Sequence, residues 1–389
     1  MRVPTRTGQP VPLVDLRAEY AEIGQAIAAA VAQVISSGVF VQGPPVTAFE
    51  QAFAAYLGVA HVVGVGTGTD ALMLALKAVG IGPGDEVILP AFTFVATAEA
   101  IVHTGATPVL VDVSPSTYTI DSEQIERGLT ARTRAIVPVH LYGLPVDLGL
   151  IEGLAAARGI AVVEDAAQAH GAAYGTRRVG SGGRAAAFSF YPSKNLGAYG
   201  DAGAVATDDD GVAAQVRLLR DHGGVQKYQH EIVGYASRLD SLQAAVLHAK
   251  LPHLDAWNAK RRACAAAYDG LLAPLDGVTV PSRPVGATHV YHLYAISVDP
   301  DLRDPLRAYL QTRSIETGVH YPQPLHLTPA FAFLHTPSGS FPVAERLARS
   351  VLSLPMHPWL RPDQVEYVAR EIAAFLGHRR QQTAVPQVG

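Results

Sequence analysis

Ser189-Phe190-Tyr191-Pro192-Ser193-Lys194-Asn195-Leu196-Gly197-Ala198-Tyr199-Gly200-Asp201-Ala202-Gly203 is the stretch on which the reading of this chain turns. An apolar run over residues 185–190 leads into it and a glycine-rich turn follows. The chain holds five lysines, Lys77, Lys194, Lys227, Lys250 and Lys260. Lys77, Lys250 and Lys260 fall in helix-like segments, where an exposed, solvated ammonium is expected. Lys227 falls in a polar loop. Only Lys194 follows a strand-like run into a glycine turn, which predicts a buried or half-buried amine. Burial disfavours the charged form of lysine, lowers its pKa and leaves a nucleophile.

Working outward, short apolar runs alternate with helical patterns through the first half. Strands are predicted over residues 61–65, 86–89, 108–111, 135–139, 160–164, 185–190 and 203–207. Helices are predicted over 70–79, 94–103, 122–129 and 148–158. This alternation makes an α/β chain with a mainly parallel, seven-stranded sheet. Right-handed crossovers then bring the functional loops to the carboxyl ends of the strands. A long helical stretch over residues 238–272 leaves the pattern. The expected division is a large domain over residues 1–250 with the N-terminal segment included, a smaller α/β domain over 251–378, and a flexible tail over 379–389.

Of the 389 residues, 49% are apolar and 16% charged, enough for a large core and against disorder. The net charge is −4 and no dense basic run occurs, which gives no footprint for nucleic acid. With one cysteine, Cys264, no intrachain disulfide forms. The first residues lack a signal-peptide pattern, and the apolar stretch over 26–41 is interrupted by Gln33, Ser36 and Ser37, too short for a bilayer. These features predict a soluble, cytoplasmic chain without a membrane partner.

Asp165 ends the strand at residues 160–164, where a carboxylate faces a ligand. In a pyridoxal site it pairs with the protonated pyridine nitrogen and keeps the ring an electron sink. Lys194 supplies the amine for a Schiff base with that aldehyde cofactor. Thr67-Gly68-Thr69-Asp70 joins a strand to a helix N-terminus, a place where free N–H groups and the helix dipole favour phosphate. Ser189 is a candidate second phosphate donor. Gly66-Thr67-Gly68-Thr69-Asp70-Ala71 also fits a dinucleotide fingerprint. That reading needs an acid closing the next strand; Asp85 and Glu86 precede it, and Phe92 and Phe94 follow it. His289 and His292 are spaced as a metal pair but lack an accompanying cysteine or acid cluster, so a surface pair is expected and no metal.

Five blocks together, Thr67-Gly68-Thr69-Asp70-Ala71-Leu72, Pro90-Ala91-Phe92-Thr93-Phe94, Pro138-Val139-His140-Leu141-Tyr142-Gly143, Glu164-Asp165-Ala166-Ala167-Gln168-Ala169-His170-Gly171 and Ser189-Phe190-Tyr191-Pro192-Ser193-Lys194-Asn195-Leu196-Gly197, resemble the DegT/DnrJ/EryC1/StrS sugar aminotransferases. The resemblance implies the aspartate-aminotransferase fold (fold type I), pyridoxal 5'-phosphate as cofactor, and a homodimer with its active sites at the interface. By position it implies Lys194 as the cofactor-bearing, proton-shuttling lysine. Asp165 would hold the ring nitrogen, Gln168 the phenolic oxygen, Phe94 the ring face, and Gly68, Thr69 and Ser189 the phosphate. His320, Tyr321 and His326 match the segment near the substrate.

The resemblance further implies ping-pong transfer of an amino group from L-glutamate to a nucleotide-linked keto-sugar, giving an amino-sugar. The block His222-Gly223-Gly224-Val225-Gln226-Lys227-Tyr228-Gln229-His230-Glu231 is similar to members acting at C3, which favours a 3-keto-6-deoxyhexose over a 4-keto sugar. Members with histidine in place of the lysine are dehydratases; Lys194 argues against that, and the charge argues against a DNA-binding regulatory role. One departure stands out. The family's asparagine that reaches across the dimer to the phosphate is Ala236 here, and a lost hydrogen bond to a charged group costs about 1.5–3 kcal/mol unless replaced. Ser237, Arg238 or water are the candidate replacements.

Overall fold

The computed structural model describes residues 10–383. Seven strands form the main sheet, in the spatial order His61–Val65, Gly203–Thr207, Ala185–Ser189, Ala161–Asp165, Thr133–Ile136, Glu86–Pro90 and Thr107–Val111. All are parallel except Gly203–Thr207, which runs antiparallel to both of its neighbours. Ala185–Ser189, Gly203–Thr207 and Glu86–Pro90 are buried at every position, as strands covered on both faces must be.

The helices are α1 (Leu16–Ser37), α2 (Pro44–Leu57), α3 (Gly68–Ala78), α4 (Val95–Thr104), α5 (Ser122–Gly128), α6 (Leu148–Ala156), α7 (Asp210–Arg220), α8 (Ser241–Lys250), α9 (Leu254–Leu272), α10 (Pro300–Thr312), α11 (Pro342–Ser350) and α12 (Pro362–Thr383). Helices α3, α4 and α7 contribute to the core that includes Val63, Val87 and Val205. The opposite core joins α2 and α8 to Phe188, Phe190 and Ala204. Within it Phe53 lies edge-on to Phe188 and Phe190, with ring centroids 5.1 and 5.5 Å apart. Leu196 and Ala198, on the turn after Lys194, are fully buried in the same cluster. Burying one large apolar side chain stabilises by roughly 1.5–3 kcal/mol, so this turn is pinned by its apolar members.

A second sheet, Val278–Thr279, Tyr294–Val298 and Val351–Leu354, is antiparallel and shares a core with α9, α10 and α12. The tail expected over residues 379–389 lies, from residue 384 on, outside the described residues. Among the described residues no helix is long and apolar enough to cross a membrane.

Three sequence expectations are corrected. The strand expected over 135–139 is Thr133–Ile136, stopping just ahead of Pro138, which has no N–H for a ladder. The helical stretch expected over 238–272 is two helices, α8 and α9, joined by a 3-10 turn at Leu251–His253 that contains Pro252. Lys250, expected in solvent, is fully buried and ion-paired with Glu19.

Candidate active site

The carboxyl ends of the strands converge on a cavity of about 520 Å³ whose lining includes Gly68, Phe94, Asp165, Gln168, Ser189 and Lys194. Asp165 is the last residue of its strand, and Ser189 the last of the adjacent one. Lys194 follows on a turn closed by two hydrogen bonds, from its own N–H to the Tyr191 carbonyl (2.8 Å) and from Ala198 N–H to Phe190 (2.7 Å). Gly197 makes the turn possible. A Cβ there would lie 2.3 Å from the carbonyl oxygen of Pro192. Burial pushes the Lys194 amine down to about 8, and the nearby carboxylate of Asp165 opposes that shift without cancelling it.

Asp165 is oriented from two sides. Thr97 Oγ1 donates to Oδ2 at 2.8 Å and the Ala167 N–H to Oδ1 at 3.2 Å. Thr93, just ahead of the α4 N-cap, and Thr97, on the first turn of α4, bond each other at 3.1 Å. Gln168 is held by the Tyr142 N–H, which donates to its Oε1 at 2.7 Å, while its Nε2 donates to the Tyr321 hydroxyl at 3.0 Å. Tyr142 in turn donates through its hydroxyl to the His320 carbonyl. Burial raises the Tyr321 hydroxyl above its ordinary range, so it stays protonated.

His320, tied through Nδ1 to Ser353 Oγ at 2.9 Å, is held down to about 4 by burial and then by the charge of Lys194. His170 (about 3) and His292 (well below its ordinary value) are lowered first by burial and then by the same charge. Lys194 therefore faces neutral imidazoles and one carboxylate. Phe94 is half exposed within the cavity wall, its ring centroid 5.6 Å from that of Tyr321.

The anion cradle lies at the start of α3. Thr67 caps the helix, its Oγ1 accepting from Asp70 N–H at 3.0 Å. Gly68 and Thr69 head the helix with N–H groups that the helix itself does not use. A side chain at position 68 would put its Cβ 2.4 Å from the Ser189 Cβ, so only glycine lets the helix end meet Ser189 this closely. Ser237 braces the cradle from behind. Its hydroxyl donates to Asp70 Oδ2 at 2.7 Å and accepts from Gly66 N–H at 3.1 Å. Arg238 is committed to Asp221, at 2.6 Å.

Of the residues singled out in the sequence, Gly68, Thr69, Phe94, Asp165, Gln168, Ser189, Lys194, His320 and Tyr321 share one cavity. His326 is not among them: it is buried elsewhere, its Nε2 3.0 Å from Glu345 Oε1 and its ring edge-on to Phe341. The histidine pair expected at the surface is buried instead: His292 lines the cavity, and His289 has its ring stacked on Tyr291 and its Nδ1 accepting from the Tyr291 N–H. Sequence reasoning missed Thr97, Tyr142 and His292 as parts of the site. The roles of Thr97 and Tyr142 come from contacts 68 and 26 positions along the chain, which no local pattern signals, and His292 stood out only as half of a spaced histidine pair.

The donor set fits a planar pyridine aldehyde that carries a phosphate. It offers a carboxylate at one end, an amide N–H beside it, an aromatic face, an anion cradle at a helix N-terminus, and a low-pKa amine. Residues 21–373 match the DegT/DnrJ/EryC1/StrS aminotransferase family. The chain is 50% identical over 354 residues, 91% of its length and 93% of the relative's, to a dTDP-3-amino-3,4,6-trideoxy-alpha-D-glucose transaminase of Streptomyces venezuelae. The crystal structure of S. venezuelae DesV in complex with a ketimine intermediate superposes with a TM-score of 0.93 at 48% identity, covering 95% of this chain and 99% of that one. NtdA of Bacillus subtilis, solved with bound cofactor PMP, superposes with a TM-score of 0.88 at 30% identity, covering 96% of this chain and 86% of that one. The chain belongs to the DegT/DnrJ/EryC1/StrS aminotransferase family. It is an aminotransferase with the fold of the pyridoxal-phosphate aminotransferases, and its cofactor is pyridoxal 5'-phosphate.

Proposed function

We propose that this enzyme moves an amino group from L-glutamate to C3 of a nucleotide-linked 3-keto-6-deoxyhexose, working as a homodimer in the cytoplasm with each active site at the subunit interface. The observation that carries the reading is the pairing of a desolvated Lys194 with an oriented Asp165 in one cavity. The C3 position is supported by the Streptomyces venezuelae relative, a 3-amino-sugar transaminase. A large substrate has room, because the cavity shares Val14, Tyr191 and Ser193 with a wider recess of about 810 Å³ that Arg17 also lines.

When bound, the cofactor supplies an electron sink for the carbon that gains or loses nitrogen. The protein's residues do the rest. Lys194 would serve as base and acid at that carbon, and an amine that burial brings down to a pKa of about 8 suits both directions. Asp165 would hold the proton of the ring nitrogen, its carboxylate oriented by Thr97. Gln168 presents amide hydrogens because Tyr142 occupies its oxygen. Gly68, Thr69 and Ser189 would hold the phosphate, and Phe94 would cover the ring. His320 and Tyr321 line the same cavity and are the residues offered to the sugar.

The test is to incubate the cofactor-loaded enzyme with glutamate and nucleotide-linked 3-keto and 4-keto 6-deoxyhexoses, and to locate the new amine by NMR. Amination at C3 is expected. Amination at C4 alone overturns the positional part, and no amination of either sugar overturns the substrate class. Borohydride reduction of the loaded enzyme should label Lys194; an unlabelled Lys194 overturns its assignment.

A further inference from the structure

Lys250 is the second lysine taken out of solvent, and it lies against the turn that carries the first. It ends α8, is fully buried, and contacts the carboxylate of Glu19 on α1, itself only 5% exposed. Its Nζ also donates to the carbonyl of Gly197 at 2.7 Å and sits 4.2 Å from the centroid of the Tyr199 ring. A second contact from α8 reaches the same turn, where the Tyr199 N–H donates to Gln243 Oε1 at 2.8 Å. Residues 197 and 199 are thus both held from one helix.

A buried ion pair is a poor way to gain stability, since desolvation offsets most of the attraction. Burial moves both partners toward their neutral forms, Lys250 down and Glu19 up, each opposed by the other's charge. Glu22, Arg261, Tyr199 and Tyr20 are further titratable groups around the pair. What the pair does gain is direction. The Gly197 carbonyl belongs to a turn so tight that no side chain fits, and a charged donor fixes where that carbonyl points.

We propose that Lys250, paired with Glu19, is a positioning residue for the reaction at Lys194: it holds the turn over residues 194–200 in the conformation that keeps the Lys194 amine desolvated. The role rests on Lys194 being the reacting amine. It needs no contact between Lys250 and cofactor or substrate.

The experiment compares the full-length wild type with Lys250→Met and with the double variant Glu19→Gln/Lys250→Met. Three quantities are measured: the pH midpoint of Lys194 acetylation in cofactor-free protein, read by peptide mass; kcat and KM of the loaded enzyme; and Tm. In Lys250→Met the midpoint moves up from about 8 toward an ordinary lysine, kcat falls roughly ten- to hundredfold with KM little changed, and Tm drops. In the double variant no unpaired charge remains, so Tm recovers while midpoint and kcat stay displaced. A double variant that regains midpoint and kcat together with Tm reduces the pair to a structural one and overturns the proposal. A midpoint at the wild-type value in Lys250→Met overturns it too. If Lys250→Met does not fold, the double variant against wild type decides alone. Borohydride labelling of wild-type Lys194 separates the two readings: label present with an unmoved midpoint sinks only the positioning role.

Discussion

The backbone N–H of Tyr142 donates to the side-chain oxygen of Gln168, and that one contact decides which way the amide faces. With Oε1 occupied, Nε2 turns to Tyr321 and the cavity, and the site presents a donor where a free amide would offer either end. Gln168→Glu keeps the shape and keeps a partner for Tyr321 but turns the donor into an acceptor. The expected result is a lower Tm for the cofactor-free protein at pH 7, because residue 168 is buried, and cofactor affinity weaker by roughly ten- to hundredfold, about 1.5–3 kcal/mol, in equilibrium dialysis. Wild-type affinity would show that the amide hydrogens face nothing of consequence.

Thr97 prepares Asp165 from a residue 68 positions earlier. Thr97→Val removes one of two donors and leaves the Ala167 N–H in place. Cofactor binding should weaken by about 1 kcal/mol, roughly fivefold, with the lysine still labelled by borohydride. An effect as large as that of Asp165→Asn would mean that Thr97 does more than orient the carboxylate.

Lys194 contributes to stability with a sign opposite to its catalytic value. Its folded pKa, about 8, lies below that of an unfolded lysine, near 10.4. Between those values the unfolded chain holds more protons, so stability rises with pH; below 8 the desolvation penalty is present in full. Lys194→Ala should therefore abolish turnover and raise the Tm of the cofactor-free protein at pH 7. The gain should shrink as pH climbs from 8 to 10. A Tm difference that does not vary with pH would contradict the desolvation account.

Around the cradle, Ser237 is engaged with Asp70 and Gly66, and Arg238 with Asp221, while position 236 carries a methyl group. In the proposed dimer, Ala236→Asn would add a donor toward the partner's phosphate site. Cofactor loss during gel filtration should slow by tenfold or more, matching about 1.5–3 kcal/mol. An unchanged rate of loss would mean that the cradle is already complete.

The sites most legible in the sequence were those made by local chain geometry. Gly68 and Thr69 open a helix after a strand, Asp165 closes a strand, and Lys194 sits on a turn that only Gly197 permits. Lys250 was misread because a helical lysine is ordinarily solvated, and its partner Glu19 sits on a helix from the other end of the domain. His326 was placed near the substrate by its neighbours in sequence, whereas its ring turns toward Glu345 and Phe341.

By itself the sequence determined the alternation of strands and helices, the order of the strand-end loops and the residue types they carry, because these depend on periodicity and on turn chemistry within a few positions. Only the tertiary structure decided which way Gln168 faces, what aims Asp165, and that a second lysine lies beneath the first. Those outcomes depend on hydrogen bonds between residues 26, 68 and 153 positions apart and on burial, which no local pattern encodes.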